Sequence, residues 1–257
     1  MRWMPAVLLA LALAGCSGDG PRGAREGTAS ESPTTTASPS TTSPPRPPLA
    51  GRTVVIDPGH QLGNAAHPAQ VNAPVSGGGL TKPCNSTGTA TDAGYPEATF
   101  NWAVATLLRR RLERLGAEVV LTRSSDSVAE WGPCVDDRGR AAARGDLLVS
   151  IHADGSFAPG AHGFHVIWAP TVRGSQALAR DLRAGLLAAG LAPATYAGEA
   201  GLDSRSDLLT LNLAERPAAL VELGNMRDPG DAARMSSPAG RQRYVDGLVR
   251  GLRRHLR

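Results

Sequence analysis

Three short stretches of the chain end an apolar run in a residue able to bind a metal or move a proton: Thr53-Val54-Val55-Ile56-Asp57-Pro58-Gly59-His60, Leu147-Leu148-Val149-Ser150-Ile151-His152 and Ala218-Ala219-Leu220-Val221-Glu222. Imidazole and carboxylate are the donors that hold a catalytic zinc and the bases that take a proton from water. Two imidazoles and a carboxylate brought to one place point to a metal hydrolase. A catalytic zinc takes three protein ligands and keeps one position for water. His60 and His152 supply two, and Glu97 is the best third, because it opens a helix that has to pack beside the first strand. The competitors are Asp57, Asp154, His67 and His165. Asp57 lies three residues before His60 and also suits the role of orienting an imidazole from behind, whereas His67 falls in a loop. Glu222 is either a fourth ligand or a general base. The base is favoured, because a metal closed by four side chains is catalytically dead.

The elements that must carry these residues are legible in the pattern. Apolar runs of this length, bounded by Gly or Pro, read as buried strands of a parallel or mixed sheet, and open α/β sheets bind ligands beyond the carboxyl ends of their strands. Further strands are expected at Ala117–Thr122 and His162–Trp168. A helix opens at Pro96-Glu97 with Phe100, Val104, Leu107, Leu108, Leu112 and Leu115 on one stripe, and stops at Gly116. Others are expected at Asp136–Arg144, at Ser175–Ala189 and around Tyr244, Leu248, Leu252 and Leu256. The alternation predicts one α/β domain, residues 51–257, with a central, mostly parallel or mixed twisted sheet flanked by helices. Gln61–Pro96 is expected to be a long structureless loop of the functional kind.

The N-terminal residues are read separately. Arg2 followed by an apolar run from Ala6 to Ala14 suits an export signal and is too short to span a bilayer. The run ends Leu13-Ala14-Gly15-Cys16, which resembles the lipobox of bacterial lipoproteins, where the cysteine carries the lipid; the alternative is an ordinary secretory signal with an incidental cysteine. Residues 17–50, rich in Ser, Thr, Pro and Gly, cannot bury enough surface to offset their ordering entropy and are expected to form a disordered spacer. The expectation is therefore an exported protein, lipid-anchored through Cys16 to the outer face of the cytoplasmic membrane. Cys84 and Cys134 lie in loops. An oxidising compartment favours a disulfide between them over free thiols or zinc ligands, since no Cys-x-x-Cys or adjacent His supports the latter. The formal charge of +4 is modest, with Lys82 the only lysine and the arginines dispersed. Nucleic-acid binding would require a concentrated basic stripe with aromatic partners, so that class is set aside. Nothing in the pattern calls for more than a monomer.

In order along the chain, VVIDPGH, PEATFN, LTRS, DDRGRAA, VSIHAD and ALVELGNMRDP resemble the zinc-dependent N-acetylmuramoyl-L-alanine amidases of peptidoglycan metabolism, in particular the compact secreted amidases of mycobacteria and actinobacteria. The resemblance implies one zinc ion on His60, Glu97 and His152, a catalytic Glu222, and a disulfide between the loop cysteines. It matches Arg138 to the family's arginine before the histidine strand, and Arg205 and Asp207 to its Arg-x-Asp-Leu stretch beside the cleft. The implied reaction is hydrolysis of the amide between the lactyl group of N-acetylmuramic acid and L-alanine. A zinc peptidase cutting within the stem peptide and an inactive peptidoglycan-binding lipoprotein are the rival readings. Asn225-Met226-Arg227-Asp228 departs from the family's more common Glu-x-Gly-Phe followed by Ser-Asn, and no inhibitory helix or wall-binding repeat is apparent.

Overall fold

A computed structural model describes residues 46–257. The leader with Cys16 and most of the spacer lie outside the described residues. The packed chain reaches slightly into the stretch read as spacer: Leu49 is buried in the main core and its N–H donates to the Leu115 carbonyl.

The elements alternate from the start. Strand β1 (Thr53–Pro58) is followed by a 3-10 turn and a one-turn helix α1 (Pro68–Val71), then by a hairpin of β2 (Pro74–Gly77) and β3 (Leu80–Pro83). Helix α2 (Glu97–Arg114), β4 (Glu118–Leu121), α3 (Val135–Arg140) and β5 (Leu147–Asp154) come next. The remainder is β6 (His165–Trp168), α4 (Ser175–Ala188), β7 (Leu202–Ser204), α5 (Leu209–Asn212), β8 (Ala218–Asn225), α6 (Pro229–Ser236) and α7 (Pro238–His255). The region Gln61–Pro96 is thus not structureless. Gly78 and Gly79, both at positive φ, turn the chain between β2 and β3, as a two-residue hairpin loop requires.

Six strands form one sheet in the order β4-β1-β5-β8-β6-β7. The first four are parallel; β6 runs antiparallel to β8, with β7 parallel to β6. The expected mostly parallel α/β sheet is therefore present, with a reversed pair at one edge. Alternation along each strand divides the side chains between two layers. Val54, Ile56, Val149, Ile151, Val221 and Leu223 belong to the larger core, which also holds Phe100, Leu108, Leu182, Tyr244 and Leu248 from α2, α4 and α7. Val55, Leu148 and Leu220 face the smaller cluster with Leu211 of α5. Asp57, His152 and Glu222 follow the same two-residue period and so belong to this thinly covered face. No helix among the described residues is long and apolar enough to cross a membrane.

Candidate metal centre and its cleft

His152 and Glu222 are not at the ends of their strands. They are register partners within the parallel β5–β8 pair, and pairing continues through a register shift to Asp154 and Asn225. The polar tails of both strands keep their backbone groups in the sheet, so the chemistry sits on the sheet face near its carboxyl edge. His60 arrives differently. It follows β1 with φ of 60°, in the left-handed region that costs a β-carbon-bearing residue steric strain. Gly59 lets the turn pack against the second ring, since a β-carbon there would lie 2.2 Å from Cε1 of His152.

Glu97 joins the two rings. Its Oε1 lies 3.2 Å from Nε2 of His60 and 3.1 Å from Nδ1 of His152. One ligand atom from each of the three residues falls within 4.8 Å of the others. The carboxylate is held by what surrounds it. Oε2 accepts the Thr89 N–H at 2.9 Å, and Oε1 accepts the Asn101 side-chain amide and the Ala153 N–H, each at 3.2 Å. Burial alone would raise the Glu97 pKa; the adjacent imidazoles outweigh it and hold the group well below the ordinary carboxylate range.

The donor chemistry fits a cation. His60 uses Nδ1 to donate to the Ser86 carbonyl at 3.0 Å, which leaves the Nε2 lone pair facing the centre. His152 is turned the other way. Its Nε2 accepts from Nη2 of Arg138 at 2.9 Å, so the neutral ring carries its proton on Nδ1, towards Glu97. Ligation of a cation through Nδ1 would require that proton to move to Nε2, with the Arg138 contact giving way. Burial depresses the His152 pKa, which favours the neutral ring over the imidazolium.

Asp57 is not a member of the donor set. It pairs bidentately with Arg138, Nε to Oδ1 at 2.9 Å and Nη2 to Oδ2 at 2.7 Å, and accepts from the Ser150 and Thr122 hydroxyls at 2.6 Å each. Burial would raise its pKa, but Arg138 and these hydroxyls carry it far below the usual range. Asp57 therefore orients Arg138, and Arg138 orients the ring of His152. His67 is elsewhere, bonded to the Ala129 carbonyl and tilted against Trp131. Cys84 and Cys134 form the expected disulfide, so neither sulfur is free to ligate a metal.

Glu222 stands beside the donors without joining their hydrogen bonds. It is partly buried, and its Oε2 is enclosed without a partner among the described residues. Burial raises its pKa well above the ordinary value; the Glu97 and Asp154 carboxylates add to this and Arg205 opposes it. His165 lies opposite Glu222 in the β6–β8 pair, buried, with Nδ1 unpartnered and its pKa lowered by burial. Arg205 and Asp207 bond to each other in a fork, at 2.9 and 2.8 Å, and Lys82 of the hairpin is 3.9 Å from Asp207. Lys82 and Asp207 line a groove of about 240 Å³ that also includes His60, Arg138, His152 and Leu220.

Sequence reasoning passed over the residues that hold Glu97. Asn101 is four positions on from Glu97 along α2, a spacing that places the two on one helix face and was available as a signal. Thr89 acts through its backbone N–H and left no signal in its side chain.

A two-imidazole, one-carboxylate cluster able to hold a metal ion, beside a glutamate of raised pKa on the face of a mostly parallel sheet, is the arrangement of an α/β hydrolase. Residues 54–254 match the Amidase_3 family, N-acetylmuramoyl-L-alanine amidase, and the chain belongs to that family. It is 46% identical over 213 residues to the N-acetylmuramoyl-L-alanine amidase Rv3717 of Mycobacterium tuberculosis, a match covering 79% of this chain and 86% of that one. The crystal structure of the amidase Ami1 of Mycobacterium smegmatis superposes with a TM-score of 0.76 at 43% identity, over 81% of this chain and 98% of that one. The apo form of Ami1 from Mycobacterium abscessus gives 0.76 at 45% identity, over 81% and 100%.

Proposed function

We propose that the protein hydrolyses the amide joining the lactyl group of N-acetylmuramic acid to L-alanine of the peptidoglycan stem peptide. His60, Glu97 and His152 are the ligands of one zinc ion, and Glu222 is the general base. The observation that carries this reading is the convergence of three donor atoms within 4.8 Å, one of them on His152, the register partner of Glu222 in the sheet. Zinc held there supplies a Lewis acid that acidifies water and polarises a carbonyl oxygen. The chain's own residues handle the proton and fix the geometry. Glu222, with its raised pKa and an unpartnered oxygen, takes a proton from water and returns it to the alanine nitrogen as that nitrogen leaves. Asp57 and Arg138 hold the His152 ring. Lys82 and Asp207 border the groove that receives the stem peptide, with Arg205 holding Asp207 from behind and Leu208, Leu209 and Leu220 as the apolar wall.

The protein works outside the cytoplasm as a monomer, attached to the membrane through a lipid on Cys16, in cell-wall remodelling or recycling. Digestion of purified peptidoglycan followed by product masses tests the reaction. Peptides beginning with L-alanine, released from glycan that keeps its lactyl carboxylate, are expected. Products cut inside the stem peptide would instead identify a peptidase, and intact wall would identify a binding protein.

A further inference from the structure

A second groove begins where the paired strands carrying His152 and Glu222 run out. The segment after β5 brings Ser156 and Phe157, the segment after β8 brings Arg227, and the loop before α2 brings Asp92; together they border about 230 Å³. Phe157 is 80% exposed, a costly position for a phenylalanine with no partner. The guanidinium of Arg227 lies 4.8 Å from the centre of its ring, so one face is covered and the ring is held as a platform. Arg227 is itself fixed by Asp92 at 3.0 Å, while its Nε is enclosed and without a hydrogen-bond partner. The Phe157 segment is anchored from below, because the Asn225 side-chain amide donates to the Ser156 and Ala161 carbonyls at 2.9 and 2.8 Å.

We propose that Phe157, Arg227 and Asp92 form a saccharide subsite that holds the glycan strand of the substrate; this rests on the amidase reading above. A scissile bond between a sugar acid and a peptide requires two arms of binding surface. The groove that includes His60 and His152 carries Lys82 and suits a peptide ending in carboxylates. The second groove presents exposed Asp92, and its only cation, Arg227, is already paired. Such a surface repels a carboxylate and accepts a neutral ring. A sugar offers an apolar C–H face to an aromatic platform and hydroxyl or acetamido groups to a fixed arginine and carboxylate at its edge. The distance is suitable as well. Phe157 and Arg227 each come five residues after the register partners His152 and Glu222, so the platform lies just beyond the strand ends that carry the reacting centre.

Tetra-N-acetylchitotetraose, a neutral saccharide with no peptide, is the probe. Titrated into the purified protein, it is expected to bind saturably by calorimetry or NMR. Phe157→Ala should weaken binding about tenfold, the scale of losing one aromatic contact, and Phe157→Trp should retain it. On polymeric wall the Phe157→Ala loss should fall on KM more than on kcat, and exceed the loss on a muramyl peptide with a single sugar. Absence of saturable binding, or equal affinity of the native protein and Phe157→Ala, overturns the subsite whatever the amidase assay gives. Saccharide binding through Phe157 by a protein that releases no stem peptide overturns the amidase reading and leaves the saccharide site standing.

Discussion

At the scale of the residue, Glu222 is set apart by its neighbours. Its enclosure and two carboxylates, Glu97 and Asp154, resist its ionisation, and Arg205 alone opposes them among the groups that act on it. A base works only when ionised, so activity is expected to fall with falling pH through a limb higher than an ordinary glutamate would give. A zinc ion bound there, being positive, would bring that limb partway down. Glu222→Gln should lower kcat at least about 100-fold and abolish the limb while zinc content stays near one per chain. Glu97→Ala, by contrast, should lose the metal itself. Metal analysis beside a pH–rate profile separates the two, and full turnover by Glu222→Gln would remove the base assignment. The four residues are legible in sequence because each combines a chemical type with a marked position, after an apolar run or in a first helical turn. The orienting contacts are less so: a backbone N–H at Thr89 and the outward nitrogen of His152 depend on geometry that no residue type announces.

At the scale of elements, two cross-links hold the cleft together. The disulfide ties the end of β3 to the residue before α3, across a separation of 50 residues. Ser86, two positions beyond Cys84, supplies the carbonyl that orients His60. Reduction, or Cys84→Ala with Cys134→Ala, should cost about 2–4 kcal/mol and lower the Tm by about 2–4 °C for each kcal/mol. Zinc affinity should weaken in the same variant, because the carbonyl partner of His60 is no longer fixed. The second link is the Asp57–Arg138 pair, which joins β1 to α3 with both side chains buried. Asp57→Ala leaves a buried cation uncompensated, at a cost of about 3–5 kcal/mol. The depressed pKa of Asp57 gives its contribution a definite pH window. It is fully present above the unfolded carboxylate pKa, ~3.9, and is lost as pH falls towards the folded value. Thermal melts below pH 4 should therefore fall more steeply for the native protein than for Asp57→Asn. The long helices and the parallel strands were readable from periodicity, and the triple glycine Gly77–Gly79 marked a hairpin that loop composition obscured. The reversed direction of β6 was the hardest feature to read. The connection from β5 to β6 is short, Gly- and Pro-containing and without a helix, so it cannot make the crossover that a strand parallel to β5 would need, and β6 enters beyond β8 in the reverse direction.

At the scale of the whole molecule, the described residues place two grooves of different character along one sheet edge, one with Lys82 beside the donor cluster and one with Phe157 and Asp92. The formal charge of +4 adds a weak attraction to an anionic wall that salt should screen. Neither property would hold the protein at the cell surface, and on the proposed reading that task falls to the leader. Leu13-Ala14-Gly15-Cys16 would carry the anchor on that reading, and no helix among the described residues is long and apolar enough to cross a membrane. A single acyl chain binds a membrane only marginally, whereas two or more on a processed cysteine make attachment stable. Cys16→Ser should thus move the protein from the membrane fraction to the soluble extracellular one. Turnover on soluble muropeptides should be the same for both forms, because Cys16 lies outside the catalytic domain, while cleavage of wall in cells should lose its confinement to the membrane-proximal layer. Mass spectrometry of the N-terminal peptide, with or without attached acyl chains, reads the modification directly. Equal distribution of the native and Cys16→Ser proteins between fractions would reduce the leader to an ordinary export signal and leave the candidate metal centre untouched.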